Sequence, residues 1–298
     1  MKKLLILGGS GFVGRSIVDY GINKNLIKNK INKIYILSRS VKFSQNKKKH
    51  ISITYINKNM LDVNKLPQVD YIIYCLKNSN IKISNSYFNQ FLKILKNFKK
   101  KPKILFTSSG AVYGKNINKR KDIEHKKIDN ILIDKFVGYK KRYAKEKLFL
   151  EEKFKDLAKK NYKVSIARCY TFIGKNIIHY NYAISDLINA ANNKSKIILN
   201  SHIDVFRSYM HSDDLSNWLI TILKNSNTKC PIYNVGSDKI INLKSLTKKI
   251  GIMTNKKILF KIKKSKKFDY YIPSINKAKK ELKLKISINL DNALSLII

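Results

Sequence analysis

Leu4 to Leu7 form a short, wholly apolar run; Gly8, Gly9, Gly11 and Gly14 follow, and Ile17 and Val18 open a helical face. A strand that turns through glycines into a helix is an arrangement that binds dinucleotides. The turn needs backbone freedom, the pyrophosphate needs close approach to the main chain, and helix and strand need room to pack. The anion then rests at the helix N-terminus, where N–H groups and the helix dipole favour negative charge. Two spacings are present. Gly9, Gly11 and Gly14 give G-x-G-x-x-G, and Gly8, Gly11 and Gly14 give G-x-x-G-x-x-G.

The pattern beyond this turn predicts alternating strands and helices. Strands are expected at 34–37, 51–56 and 69–76, then from 103 into Ser108 and Ser109, and at 164–167. Helical spacing runs over 87–98, with Phe88, Phe91, Leu92, Leu95 and Phe98 on one face and Pro102 as the stop. Alternation of this kind predicts an α/β fold with a doubly wound parallel sheet. Its ligand belongs at the carboxyl ends of the strands, where Ser108 and Ser109 stand. Residues 115–138 are polar, apart from the apolar 131–133, and are expected to be a loop over the site.

A second helix is expected over 139–160. Tyr143 and Lys147 lie four apart, with Glu151 a further turn on, so all three share a face. A phenol is a poor base at its ordinary pKa of about 10. An ammonium beside it, together with a cationic nicotinamide, lowers that value. Tyr-x-x-x-Lys alone is weak in a chain so rich in both residues. It gains weight about 30 residues after a strand-end Ser-Ser in a chain that opens as this one does. At the end of the second strand no carboxylate is offered to the ribose hydroxyls. Arg39 stands there instead, placed for a 2′-phosphate, which favours NADP over NAD. A solvent-facing Arg39 is the alternative.

Composition bounds the rest. The formal charge is +43, yet only six of the 62 basic residues are Arg. Lys, Asn and Ile share AT-rich codons, and the lysines are spread along the chain, so codon drift accounts for the excess. A polyanion-binding surface remains the alternative, and either way the field attracts anionic substrates. No apolar run reaches the ~18 residues of a membrane helix. No signal peptide is expected, and the location is expected to be cytoplasmic. Cys75, Cys169 and Cys230 are odd in number and have no metal spacing, so reduced thiols and no metal are expected. His202 and His211 are expected to make ordinary polar contacts.

GGSGFVG, the Ser108–Ser109 strand end and Tyr143–Lys147 together resemble the extended short-chain dehydrogenase/reductases, the NAD(P)-dependent epimerase/dehydratase family that modifies sugar nucleotides. IARCYTFIG up to Gly174, VFRSYMHSDDL from Val205, YNVGSDKIINLKSL from Tyr233 and YYIPSINKAKKEL up to Leu282 resemble the family's later landmarks in order. The resemblance implies a Rossmann-type NAD(P)-binding domain over 1–174 and a smaller, mainly substrate-binding C-terminal domain over 175–298. The segment near 205–236 is expected to return to the first domain. Cofactor contacts are implied at Gly8, Ser10, Gly11, Phe12, Val13, Gly14, Arg39, Asn59, Met60 and Lys147. Ser109, Tyr143 and Lys147 are the implied catalytic residues, and Ser108, Thr171 and Arg207 the implied substrate contacts. For Arg207 a structural salt bridge to Asp213 or Asp214 is the alternative.

The chain departs from the family at Cys75, Leu76 and Lys77, where small residues are usual, and at Lys175, where proline is common. Family members that eliminate water carry Thr-Asp-Glu where this chain has Ser109, Gly110 and Ala111. The 4,6-dehydratase branch is therefore disfavoured, and a nucleotide-sugar epimerase or 4-ketoreductase is expected. The resemblance also implies a homodimer joined through the helices of 87–98 and 139–160. Nucleic acid is not an expected partner. A non-catalytic NAD(P)-binding regulator or nucleic-acid-associated protein of the same fold remains the alternative reading.

Overall fold

The computed structural model describes residues 1–23, 26, 30–39, 51–179, 182–201, 203–262 and 267–298. Ser40, His202, the lysines of 47–49 and those of 263–266 lie outside them. Seven strands form one parallel sheet: β1 (Lys2–Leu7), β2 (Ile31–Ser38), β3 (Ser52–Asn57), β4 (Tyr71–Tyr74), β5 (Lys103–Ser109), β6 (Val164–Cys169) and the later β11 (Ile232–Val235). Their order is β11-β6-β5-β4-β1-β2-β3, and every neighbouring pair is parallel. The chain winds outward from β1 through β2 to β3, then crosses to β4 on the other side. A crevice therefore opens at the carboxyl ends of β1 and β4, where ligands of such sheets lie.

Helices cover both faces of this sheet. α1 (Phe12–Asn23) and α6 (Ser212–Lys224) lie on one face and α2 (Ile81–Leu95) and α4 (Gly138–Lys159) on the other, while the short α3 (Asn130–Asp134), α5 (Ala183–Asn193), α7 (Leu243–Met253), α8 (Asn276–Leu282) and α9 (Leu290–Ser295) pack elsewhere along the chain. A sheet buried on both sides needs strands that are apolar on both sides. In β1, Leu4 and Ile6 join a core with Ile17 and Val18 of α1 and Trp218 of α6. Leu5 and Leu7 join the opposite core, with Phe88 and Phe91 of α2 and Phe154 of α4. Phe154 stacks on Phe106 of β5 at 4.6 Å and meets Phe88 edge-on at 5.0 Å. These rings fix the second half of α4 against the sheet.

Smaller pairings build the remainder. β7 (Phe172–Ile173) runs parallel to β10 (Met210–His211), and β8 (Lys196–Ser201) parallel to β13 (Lys257–Ile262). β9 (Asp204–Arg207) lies between β12 (Ile241–Asn242), antiparallel, and β14 (Phe268–Tyr270), parallel. Two expectations are corrected. Helix α2 starts six residues before Tyr87, because the Asn80 side chain accepts from the amides of Lys82 and Ile83 at 2.9 and 3.4 Å and caps it there. The segment 115–138 is not all loop, since Asp129 caps α3 by accepting from Ile131 N at 2.8 Å. Among the described residues no helix is long and apolar enough to cross a membrane.

Candidate active site

The glycine turn lies at the crevice. Gly8 takes φ +85°, and a Cβ there would come within 2.9 Å of the Cys75 carbonyl group. A Cβ on Gly14 would come within 2.4–2.7 Å of the Gly9 main chain, so α1 can sit this close to the turn only with glycine there. At Gly11 the nearest atom would be Gly8 O at 3.7 Å. No protein atom demands that third glycine. Its missing side chain leaves room beside the first turn of α1, which begins at Phe12. That space and the positive end of the helix suit a pyrophosphate, so these residues fit a dinucleotide. Ser10 receives Arg15 Nε on its carbonyl at 2.9 Å, and Phe12 stacks on Phe172 at 6.1 Å. Val13 is half-buried on α1. Arg39 is exposed one residue beyond β2. Asn59 caps a short turn by accepting from Leu61 N at 3.2 Å, and Met60 is buried beneath it.

Across the crevice, α4 carries its stripe toward the end of β5. Lys147 is only 2% exposed. Its ammonium donates to Leu76 O at 3.3 Å and lies 3.9 Å from Glu146 Oε2. It also stands 5.0 Å from the Phe106 ring centre and 5.7 Å from that of Tyr143. Leu76 thus serves through its carbonyl, whatever its side chain. Lys77 reaches over the stacked rings of Tyr139 and Tyr143, 5.4 Å from each.

Burial pushes the Tyr143 phenol well above its ordinary value; Tyr271 beside it adds to the rise, and a hydrogen bond with Ser109 opposes it. Desolvation, which disfavours the phenolate, here exceeds the lowering expected from neighbouring ammonium groups. Ser109 sits at the end of β5, where its hydroxyl accepts from Ala111 N at 3.2 Å and lies 3.2 Å from the Tyr271 hydroxyl. Three hydroxyls, those of Ser109, Tyr143 and Tyr271, therefore meet at the strand ends.

Ser108 does not join them. Its buried hydroxyl donates to Glu151 Oε1 at 2.6 Å, so the expected substrate contact is turned into the core. Glu151 is also held by Arg168, whose Nε and Nη2 donate to its two oxygens at 2.9 and 2.7 Å. The Thr171 hydroxyl donates to Ser208 O. Arg207 donates to Asp269 Oδ2 from Nη2 at 2.7 Å, and from Nη1 to Phe206 O and Asp269 O. Its partner is thus neither Asp213 nor Asp214. Asp214 instead accepts from the amides of Ser287 and Ile288. Lys140 comes to 3.7 Å from the same Asp269 oxygen. Burial alone raises the Asp269 carboxyl, but Arg207 and Lys140 outweigh it and hold it below the ordinary range. His211 caps α6 through Nδ1.

Tyr271 is brought in by a stitched loop. Asp122 N donates to Ile272 O at 3.0 Å, and Ser274 N donates to Asp122 O at 2.7 Å. The Tyr170 ring packs tilted against Tyr271 at 4.5 Å between centres, and its hydroxyl donates to Asp122 Oδ2. Tyr271, Asp269, Lys140 and Asp122 were not among the expected site residues. Asp269 and Tyr271 lie beside or within a segment that carries the resemblance, but Lys140 is one lysine among many.

A parallel sheet wound around a glycine turn, with Ser, Tyr and Lys at its carboxyl ends, defines a Rossmann-type dinucleotide-binding protein. The model of the NAD dependent epimerase/dehydratase family matches residues 4–236, and the chain belongs to that family. No curated protein matches the sequence. Solved structures share the fold across the whole chain. UDP-glucose 4-epimerase of Thermotoga maritima, with UDP-glucose, is 16% identical, covers 99% of this chain and 96% of its own, and has a TM-score of 0.72. UDP-N-acetylglucosamine 4-epimerase of Methanobrevibacter ruminantium, with UDP-N-acetylmuramic acid, is 19% identical over 99% and 97%, with a TM-score of 0.76. dTDP-glucose 4,6-dehydratase of Bacillus anthracis, with NAD, is 15% identical over 99% and 94%, with a TM-score of 0.75.

Asp122 gives a pH test of this architecture. Burial pushes its carboxyl up to about 6, against the lowering by Tyr170, Lys126, Asn116 and Arg168. Between the ordinary carboxylate value of about 4 and this raised one, the folded chain binds more protons than the unfolded chain. Stability from this group is therefore full below pH ~4 and is lost as pH rises through ~6. Asp122→Asn keeps an acceptor for Tyr170 and removes the charge. In thermal melts, Asp122→Asn is expected to match the parent near pH 4. By pH 7 it should be the more stable by about 2–3 kcal/mol. A gap that stays constant with pH contradicts the assignment.

Proposed function

We propose that this protein is an NAD(P)-dependent nucleotide-sugar epimerase or 4-ketoreductase. The observation that carries the proposal is the meeting of Ser109, Tyr143 and the buried Lys147 beside the glycine turn, in a member of this family. Tyr143 passes a proton to or from a sugar oxygen at its hydroxyl. Ser109 donates a hydrogen bond to the same oxygen. Lys147 favours the phenolate of a phenol that is otherwise protonated, and it grips the nicotinamide ribose. When bound, the nicotinamide supplies the hydride chemistry.

Elimination of water is disfavoured, because Gly110 and Ala111 carry no group that moves a proton. Exposed Arg39 at the adenosine end of the crevice favours NADP, since a guanidinium matches a phosphate bidentately. The division at 174/175 belongs to this reading, with α6 packed on the large sheet and β11 forming its edge strand. A symmetric dimer through α2 and α4 is kept as well. A monomer in light scattering at micromolar concentration removes that part.

Four variants, assayed on any nucleotide sugar that the parent turns over, test the roles together. Tyr143→Phe keeps the ring and its stacking, so cofactor affinity should hold while turnover falls ~10²–10⁴-fold. Lys147→Ala should slow turnover and loosen the cofactor. Lys145→Ala is the control, because Lys145 is exposed and paired with Asp134 at 2.8 Å, away from the crevice. Arg39→Ala should weaken NADP(H) and leave NAD(H) unchanged. Equal losses for Lys145→Ala and Lys147→Ala, or full activity in Tyr143→Phe, overturn the assignment.

A further inference from the structure

The stretch Asp269 to Tyr271 reaches both halves of the proposed substrate site. Asp269 places one carboxylate oxygen on Arg207 at 2.7 Å and near Lys140 at 3.7 Å. Tyr271 places its hydroxyl 3.2 Å from Ser109, and it donates to Cys169 O at 3.3 Å. The same two cations flank the Tyr271 ring, each 5.9 Å from its centre. The strand pairing of β14 with β9 continues past its end, since Tyr271 N donates to Phe206 O at 3.2 Å. In extended chain, residues two apart face one way and stand about 6.7 Å apart. An anion on two cations and a hydroxyl on the strand-end serine are thus presented together, on one short span.

That is the chemistry of a nucleoside diphosphate sugar: an anionic diphosphate, then a sugar hydroxyl a few ångströms on. Resting on the proposed function above, we infer that Asp269–Tyr271 is a built-in stand-in for the substrate, and that Lys140 is the second cation of the diphosphate site beside Arg207. A substrate takes the two cations from Asp269 and the Ser109 hydroxyl from Tyr271. Lys140 is suited to this exchange. Its ammonium is packed over the Phe136 ring at 4.3 Å and has one weak carboxylate contact. A diphosphate offers it a stronger partner than a carboxylate already committed to Arg207. The arrangement also selects against free sugars, which carry no charge to draw Lys140 and Arg207 away.

The inference makes a sign prediction that an ordinary supporting role for Asp269 reverses. Calorimetric titration of the full chain with UDP, dTDP, GDP and CDP identifies the diphosphate that binds. Asp269→Asn removes the internal competitor, so that diphosphate should bind more tightly. A unit charge ~4 Å from a phosphate changes affinity about sixfold even at the dielectric of bulk water, so a gain of at least that size is expected. Lys140→Met should weaken binding by a similar factor. Tyr271→Phe leaves every charge in place and serves where Asp269→Asn does not fold. It should tighten the matching nucleoside diphosphate glucose more than the bare diphosphate, because only the former carries a hydroxyl for Ser109. Looser binding in Asp269→Asn, unchanged binding in Lys140→Met, or no gain in Tyr271→Phe overturns the inference and leaves the proposed function standing. A parent chain that binds none of the four diphosphates overturns both.

Discussion

Glu151 and Arg168 form an ion pair with almost no exposure, 0% and 3%. Two charges withdrawn from water at this depth need each other; removing one partner of such a pair destabilises a protein by about 3–5 kcal/mol. What the pair defines is position. Glu151 is the third member of the α4 stripe that begins with Tyr143 and Lys147, each one turn apart. Arg168 faces Ser108 across the β5–β6 register, and Ser108 donates to the same carboxylate. With Glu151 anchored, α4 cannot rotate about its axis, and Tyr143 and Lys147 must face the carboxyl ends of β5 and β6. Ser109, next in the strand, is left pointing to the opposite side from Ser108. Tyr113 completes the arrangement, with the Arg168 guanidinium 4.7 Å over its ring.

Upon this anchor Ser109 and Lys147 are buried and Tyr143 is half-buried, and burial acts in both directions. It keeps the Lys147 ammonium close to the Tyr143 ring, where a charge in low dielectric has most effect. It also raises the Tyr143 phenol well above its ordinary value, because burial disfavours the phenolate more than nearby hydrogen bonds favour it. A group in that condition is a proton donor first. In the proposed reaction, positive charge from Lys147 and from a bound cationic nicotinamide would favour its phenolate. The departures at Cys75, Leu76 and Lys77 fit this picture. Leu76 serves through its carbonyl, and Lys77 adds a cation over the Tyr143 face.

Features that were legible in the sequence are local. The glycine turn, the strand-end serine and the Tyr143–Lys147 pair each occupy a few residues, and their spacing alone fixes what can share a turn or a face. Features that were hidden depend on distant chain. The direction of the Ser108 hydroxyl is decided by a carboxylate 43 residues on, and the occupant beside Ser109 comes from 162 residues on. Arg207 had Asp213 and Asp214 close in sequence, yet its carboxylate lies 62 residues away, because β14 runs beside β9. The start of α2 was obscured by Ser84, a polar residue on the buried face that is satisfied there by Glu146 at 2.8 Å. Lys140 could not be singled out among 62 basic residues until its neighbours were known.

The central claim is that this site moves hydride and proton at a nucleotide-bound sugar. The most direct measurement mixes pure protein with NAD(H) or NADP(H) and a panel of UDP-, dTDP-, GDP- and CDP-sugars. Nicotinamide absorbance and the stereochemistry of the product are then followed. The account predicts that at least one nucleotide sugar is inverted at a ring carbon or that its keto form is reduced, while the matching free sugar is untouched. Failure to bind either cofactor, or binding with no conversion of any nucleotide sugar, contradicts it.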